Sequence, residues 1–198
     1  RVQRGRLVTA SGGRPGDGLV VTKGVGIEGT AILAADFGQE LAGRVPPEVL
    51  ERACRFADEL SVVGEALAAA RLGATAMHDV TEGGLYGACR ELAAASGVGG
   101  ELWMDRLPVR PETRAICDAF GLDPAGLISS GSLLIATPDP EGMVRGLEAQ
   151  GFQAFVVGRL VPEGLWRVTK EAQPGSGAQR RPFPENEEDE LWRFLRSR

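Results

Sequence analysis

Short apolar runs alternate with longer amphipathic ones along most of this chain, and that alternation predicts a layered α/β domain. Runs at 19–22, 76–78, 100–104, 132–137, 152–160 and 165–169 have the length and the apolar or β-branched content of strands. Between them, 30–37, 47–60, 61–72, 85–95, 111–120 and 140–150 read as helices. The punctuation agrees: Pro47 stands in a first helical turn, and Gly73 and Gly121 stand where helices stop. Arg14-Pro15-Gly16-Asp17 is a turn signal ahead of the first strand. No internal repeat is visible.

The ends read differently from the middle. Residues 1–14 are basic and then glycine-rich, like the remnant of an inter-domain linker, and Arg1 is not an initiator methionine. Residues 15–170 form the expected domain. Residues 171–198 read as a linker, Gly/Pro/Ser-rich over 173–179, followed by a tail helix over 185–198. That tail has its acids first and its arginines last, matching the helix dipole, and Leu191, Trp192 and Leu195 are expected to dock one face of it.

Composition narrows the class. With 198 residues, 43% hydrophobic and 25% charged, the chain is long and apolar enough for one real core. A net charge of −5 argues against a nucleic-acid partner. No apolar stretch nears the roughly 18 residues of a membrane span, and no secretory signal pattern opens the chain. Cys54, Cys89 and Cys117 are far apart in helical segments, which predicts buried reduced thiols in a cytoplasmic protein, with neither zinc nor a disulfide framework.

The densest chemistry lies in the run from Met77 to Gly87. It holds the only histidine, His78, then Asp79, Thr81 and the pair Gly83-Gly84, where a strand hands over to a helix. Glycines let a backbone approach a ligand, and a helix N-terminus suits phosphate or carboxylate. The same corner also reads as a plain strand–turn–helix junction with Thr81 as N-cap. Adjacent strand residues face opposite sides, so His78 and Asp79 are not expected to form a simple dyad. If His78 acts, it does so as a donor to an oxyanion or as an acid–base group.

Gly24-Val25-Gly26-Ile27-Glu28-Gly29 fits the spacing GxGxxG between a strand and a helix. A dinucleotide fold also needs a second strand ending in an acid, and the region around Arg44-Val45-Pro46 has no strand pattern. This loop is therefore either a glycine turn required for packing or an approach to an anion, with Glu28 as a metal or substrate ligand. Ser129-Ser130-Gly131 can likewise be a plain turn or an anion contact. Neither a GxSxG elbow nor a Walker A sequence is present.

Taken together, these stretches resemble one family. His78-Asp79-Val80-Thr81-Glu82-Gly83-Gly84-Leu85, the later Ala95-Ser96-Gly97-Val98-Gly99 and Leu107-Pro108-Val109 look like the C-terminal domain of the aminoimidazole ribonucleotide (AIR) synthetase, or PurM-related, superfamily. Gly16-Asp17-Gly18-Leu19-Val20-Val21 and 26–33 are similar to that domain's opening strand, loop and helix. The likeness spans most of 14–169 and is strongest to the HypE-like hydrogenase-maturation branch and AIR-synthase-related proteins.

The resemblance implies a three-layer α/β/α domain with a mixed sheet, one half of an ATP-dependent enzyme that phosphorylates an amide- or carbamoyl-type oxygen. ATP and Mg2+ would be held mainly by an N-terminal domain whose Asp-x4-Gly-Ala-x-Pro signature is not in this sequence. The implied partners are a small-molecule substrate, that N-terminal domain and a second copy in a homodimer. The implied catalytic residues are His78, Asp79 and Thr81, with Gly26, Glu28, Gly29, Gly83, Gly84, Ser129 and Ser130 lining the cofactor side, and no metal ligands on this chain. HypE-like sequences carry Asn-Glu-Gly where this one has Ser129-Ser130-Gly131, and usually arginine where it has Glu82. The acceptor cysteine of HypE is absent from the closing Leu195-Arg196-Ser197-Arg198. The expectation is an ATP-dependent relative with another substrate, or else a non-catalytic anion- or nucleotide-binding module. The glycine pair after Thr81 argues against kinase-like or selenophosphate-synthetase-like relatives.

Overall fold

The first strand, β1 (Gly18–Thr22), is buried along its whole length because it lies in mid-sheet with helices over both faces. The computed structural model describes residues 7–169, 178–185 and 188–198. After β1 come α1 (Ile27–Asp36), a short α2 (Gly38–Leu41), α3 (Pro47–Cys54) and α4 (Val63–Arg71). Next are β2 (Ala76–Val80), α5 (Gly84–Ser96), β3 (Gly99–Trp103), α6 (Pro111–Phe120) and β4 (Ser132–Thr137). The chain closes with α7 (Pro140–Glu148), β5 (Ala154–Val161), β6 (Leu165–Thr169), β7 (Gln179–Pro182) and α8 (Glu190–Arg196).

The strands form one sheet in the order β2-β4-β1-β5-β3-β6-β7. It is mixed: β3 and β6 are parallel, and the other neighbours are antiparallel. Side chains alternate across it. Leu19, Val21, Leu134 and Ala136 face the α5 core, whereas Val20, Leu133 and Ile135 face the core beneath α4 and α7. This is the three-layer architecture expected from the sequence. A third apolar cluster joins α1, α3, α6 and α8 through Leu33, Ala53, Ile116, Leu127 and Leu191. Among the described residues, no helix is long and apolar enough to cross a membrane.

Four expectations change. The helix expected over 47–60 stops at Cys54 and tightens into a 3₁₀ turn, Arg55–Glu59, which sets Phe56 beside Ile27 and Ala31. Residues 173–177 of the expected linker lie outside the described residues, but Gln179 opens a strand. The sequence Gln179-Arg180-Arg181-Pro182 has no apolar alternation. It is a strand because its backbone pairs with the edge of β6, with all four residues exposed.

The tail helix, Glu190–Arg196, docks through Leu191 and Phe194 rather than through Trp192 and Leu195, which stay 44% and 38% exposed. Phe37 and Phe120 supply the reason, holding the Phe194 ring at 5.1 and 4.5 Å between centroids.

The fourth change concerns thiols. Cys89 and Cys117 are buried, and burial pushes each up to about 12, but Cys54 is exposed at the end of α3. A disulfide-exchange reagent should therefore label one thiol quickly in the native chain and three after denaturation. Fast native labelling of Cys89 or Cys117 would contradict the packing of α5 or α6.

Candidate functional site

The start of α1 is held from three directions. At the end of β1, Lys23 adopts φ 58°, the left-handed region that side chains avoid. Its ammonium reaches the carbonyls of Glu59, Ser61 and Gly131 at 2.7–2.9 Å and the carboxylate of Glu65 at 2.9 Å. Gly26 is also left-handed and caps α1 without a side chain of its own. The cap comes from elsewhere: Ile27 N–H donates to Ser129 Oγ at 3.2 Å, and Ser129 and Ser132 share a hydrogen bond of 2.8 Å. Gly29 N–H donates to the Ile128 carbonyl at 2.9 Å.

The start of α5 corrects the expected cap. Thr81 does not cap the helix with its hydroxyl; its carbonyl accepts from Gly84 N–H, and left-handed Gly83 is the N-cap. The Gly83 N–H donates to Asp189 Oδ2 at 2.7 Å, and Asp189 Oδ1 accepts from Leu191 N–H at 2.8 Å. One carboxylate thus caps α8 and fills the anion position of α5. Burial pushes the Asp189 carboxyl above its ordinary range, against the pull of the backbone donors around it. Beside it, Trp192 donates to Glu82 at 2.8 Å, and Glu190 accepts from Asp123 N–H at 3.1 Å. A glutamate at position 82 is therefore tied to the tail helix.

Both helix starts meet the segment 124–130. A Cβ on Gly29 would lie 2.4 Å from Leu127, and one on Gly84 would lie 2.6 and 2.7 Å from the carbonyls of Ala125 and Leu127. These glycines serve close approach, as the sequence suggested, but what approaches is the chain itself: the Leu127 side chain at Gly29 and backbone at Gly84. Ser129 is fully buried in the same way. Glu28, in the first turn of α1, differs: its Oε2 is buried without a hydrogen-bond partner. Thr81 and Ser130, partly buried nearby in sequence, make no side-chain hydrogen bond to the described residues.

His78 and Asp79 leave opposite faces of β2, as expected. His78 shares the α5 side with Ala76 and Val80, and its Nε2 lies 2.8 Å from Glu91 Oε2, about two helical turns beyond Gly84. Its Nδ1 lies 2.7 Å from the Asp79 carbonyl and 3.8 Å from that carboxylate, which is exposed. The imidazole is thus engaged on the flank of α5 and not at its start. Two residues important here went unnoticed in the sequence, Lys23 and Asp189. The second had a signal, an acid directly before an apolar tail helix.

A mixed sheet between helical layers, with two glycine-opened helices starting on one shared segment, defines a three-layer α/β domain. Residues 14–170 match the family model of the AIR synthase related protein, C-terminal domain, and the chain belongs to that family. It is similar to carbamoyl dehydratase HypE of Rhodobacter capsulatus, at 34% identity over 168 residues, covering 83% of this chain and 47% of that one. A putative hydrogenase expression/formation protein of Methanocaldococcus jannaschii is 29% identical over 141 residues, 68% of this chain and 38% of its own. The chain spans less than half the length of these relatives. Among solved structures, HypE of E. coli superposes with a TM-score of 0.69 at 26% identity, covering 91% of this chain and 54% of that one. A HypE solved in complex with ATP shares the fold, with a TM-score of 0.65 at 21% identity over 94% of this chain and 56% of its own.

Proposed function

We propose that this chain is the C-terminal half of a HypE-like, ATP-dependent enzyme of the cytoplasm and forms the cleft wall that faces substrate and phosphate. The observation that carries this reading is the meeting of the α1 and α5 starts on segment 124–130, together with one carboxylate oxygen of Glu28, in the first turn of α1, that is buried and unpaired. A buried acceptor without a donor is costly, and a ligand N–H would relieve it. Glu28 would thus hold the N–H of an amide- or carbamoyl-type substrate, and Thr81 and Ser130 would offer hydroxyls to the oxygen being activated. Gly26, Gly29, Gly83, Gly84 and Ser129 hold the wall in shape. His78 would steady developing negative charge only after leaving Glu91, with Asp79 orienting a substrate group from the other face.

Nucleotide binding is supported by the HypE solved with ATP. Among the described residues no three His, Cys, Asp or Glu side chains gather. On the family resemblance, Mg2+ and the triphosphate would be held mainly by an N-terminal half, which would also carry most of a homodimer contact. The chain alone should be inactive. Joined to the N-terminal half of a HypE relative it should hydrolyse ATP in the presence of its acceptor, and Glu28→Gln should lower that turnover on the order of a hundredfold. A well-folded joined protein with no turnover would favour a non-catalytic anion-binding module of the same fold. In that module the anion would have to bind elsewhere than the α5 start, where the Asp189 carboxylate already accepts from Gly83 N–H.

A further inference from the structure

The edge ribbon sets two arginines directly against each other. Arg167 of β6 and Arg181 of β7 are register partners, so their side chains leave the same face. Like charges so placed repel, and proteins ordinarily neutralise them. The neighbouring arginines follow that rule: Arg159 and Arg180 lie 3.3 and 3.8 Å from the Glu101 carboxylate, and Arg180 stacks on Trp166. Arg167 and Arg181 do not. Arg167 Nε donates to the Pro182 carbonyl at 3.2 Å, and Arg181 donates to the Gln179 side chain at 2.9 Å. Among the described residues, neither has a carboxylate within 4.0 Å.

Both arginines line a cavity of about 370 Å³, together with Tyr86, Met104, Asp123 and Thr169. The one acid there is spent on the chain itself: Asp123 accepts from Ala125 N–H at 3.0 Å and from the Tyr86 hydroxyl at 3.1 Å. Arg167 also hydrogen-bonds the Tyr86 hydroxyl, and each guanidinium has more N–H donors than its bonds to the described residues use, beside a wall made by Tyr86 and the Met104 thioether. Guanidinium forks match phosphate oxygens in pairs, and the volume is that of a small-ligand site.

We infer that this pocket binds the phosphate group of a small phosphorylated molecule, whose body lies against Tyr86 and Met104. The site is separate from Glu28 and needs no turnover to be detected.

The test is a titration of the 15N-labelled chain with inorganic pyrophosphate and with phosphate, at ionic strength held constant with chloride. Saturable amide shifts at Tyr86, Arg167 and Arg181 are expected at millimolar concentrations. Arg181→Gln should weaken binding about tenfold or more, and Arg180→Gln, on the opposite face, should leave it unchanged. Arg181 is exposed, so its variant should fold even if Arg167→Gln does not. A pyrophosphate-induced rise in Tm should be present in the parent and in Arg180→Gln and lost in Arg181→Gln. Shifts that do not saturate, or equal weakening by Arg180→Gln and Arg181→Gln, would overturn the assignment in favour of diffuse charge attraction.

Discussion

Gly84→Ala should destabilise this protein by about 3–5 kcal/mol, combining left-handed backbone strain with overpacking. Gly84 has φ +59°, and its Cβ would stand 2.6 Å from the Ala125 carbonyl oxygen, 2.7 Å from that of Leu127 and 2.8 Å from the Gly126 carbonyl carbon. All three are backbone atoms, so no rotamer change makes room. The segment cannot retreat easily, because its far side presses on Gly29 of α1. A loss of that size takes away much of the stability of an ordinary domain. Gly38→Ala is the matched control. It sits at the start of α2 with nothing within 4 Å, and should be neutral or stabilising by up to about 1 kcal/mol. Urea unfolding of the two variants measures the difference, and similar midpoints would mean that segment 124–130 does not press on α5.

Lys23→Met should cost a similar amount, about 3–5 kcal/mol, for a different reason. Glu65 is only 3% exposed, and the Lys23 ammonium is its ion-pair partner. Removing that cation strands a buried carboxylate and leaves three carbonyls without their donor. The carbonyls belong to the 3₁₀ turn after α3, to the residue that follows it closely, and to the turn before β4, so the loss spreads through the support of the α1 start. Glu65→Leu added to Lys23→Met should recover part of the stability, since the stranded charge goes with it. A double mutant as unstable as the sum of the singles would show that the pair is not the coupled unit described here.

The strands were legible in the sequence because both faces of β1 and β4 are covered, which writes them as near-continuous apolar runs. The helices were legible from period and punctuation, and α6 and β4 have the expected bounds. The glycines were legible as points of close approach, but sequence alone does not say whether the approaching atoms belong to a ligand or to residues 124–130, which arrive from 40 to 100 positions away. The same holds for His78, whose partner Glu91 becomes visible only once α5 is laid against β2. β7 was hidden because pairing of backbone, not side-chain pattern, makes it a strand. The tail helix was foreseen and its face was not: 191, 192, 194 and 195 offer two overlapping apolar stripes, and the Phe37–Phe120 pocket decides between them.

Asp189 turns the α5 start into a competition. Any free anion seeking the Gly83 N–H finds a carboxylate already tethered beside it, anchored through Leu191 and Phe194. A tethered group acts at an effective concentration of millimolar or more without being present in bulk. A dissolved phosphate must therefore exceed that local concentration, or bind much more tightly, before it displaces the tail. The end of the chain thus acts as a standing threshold on one of its two helix starts.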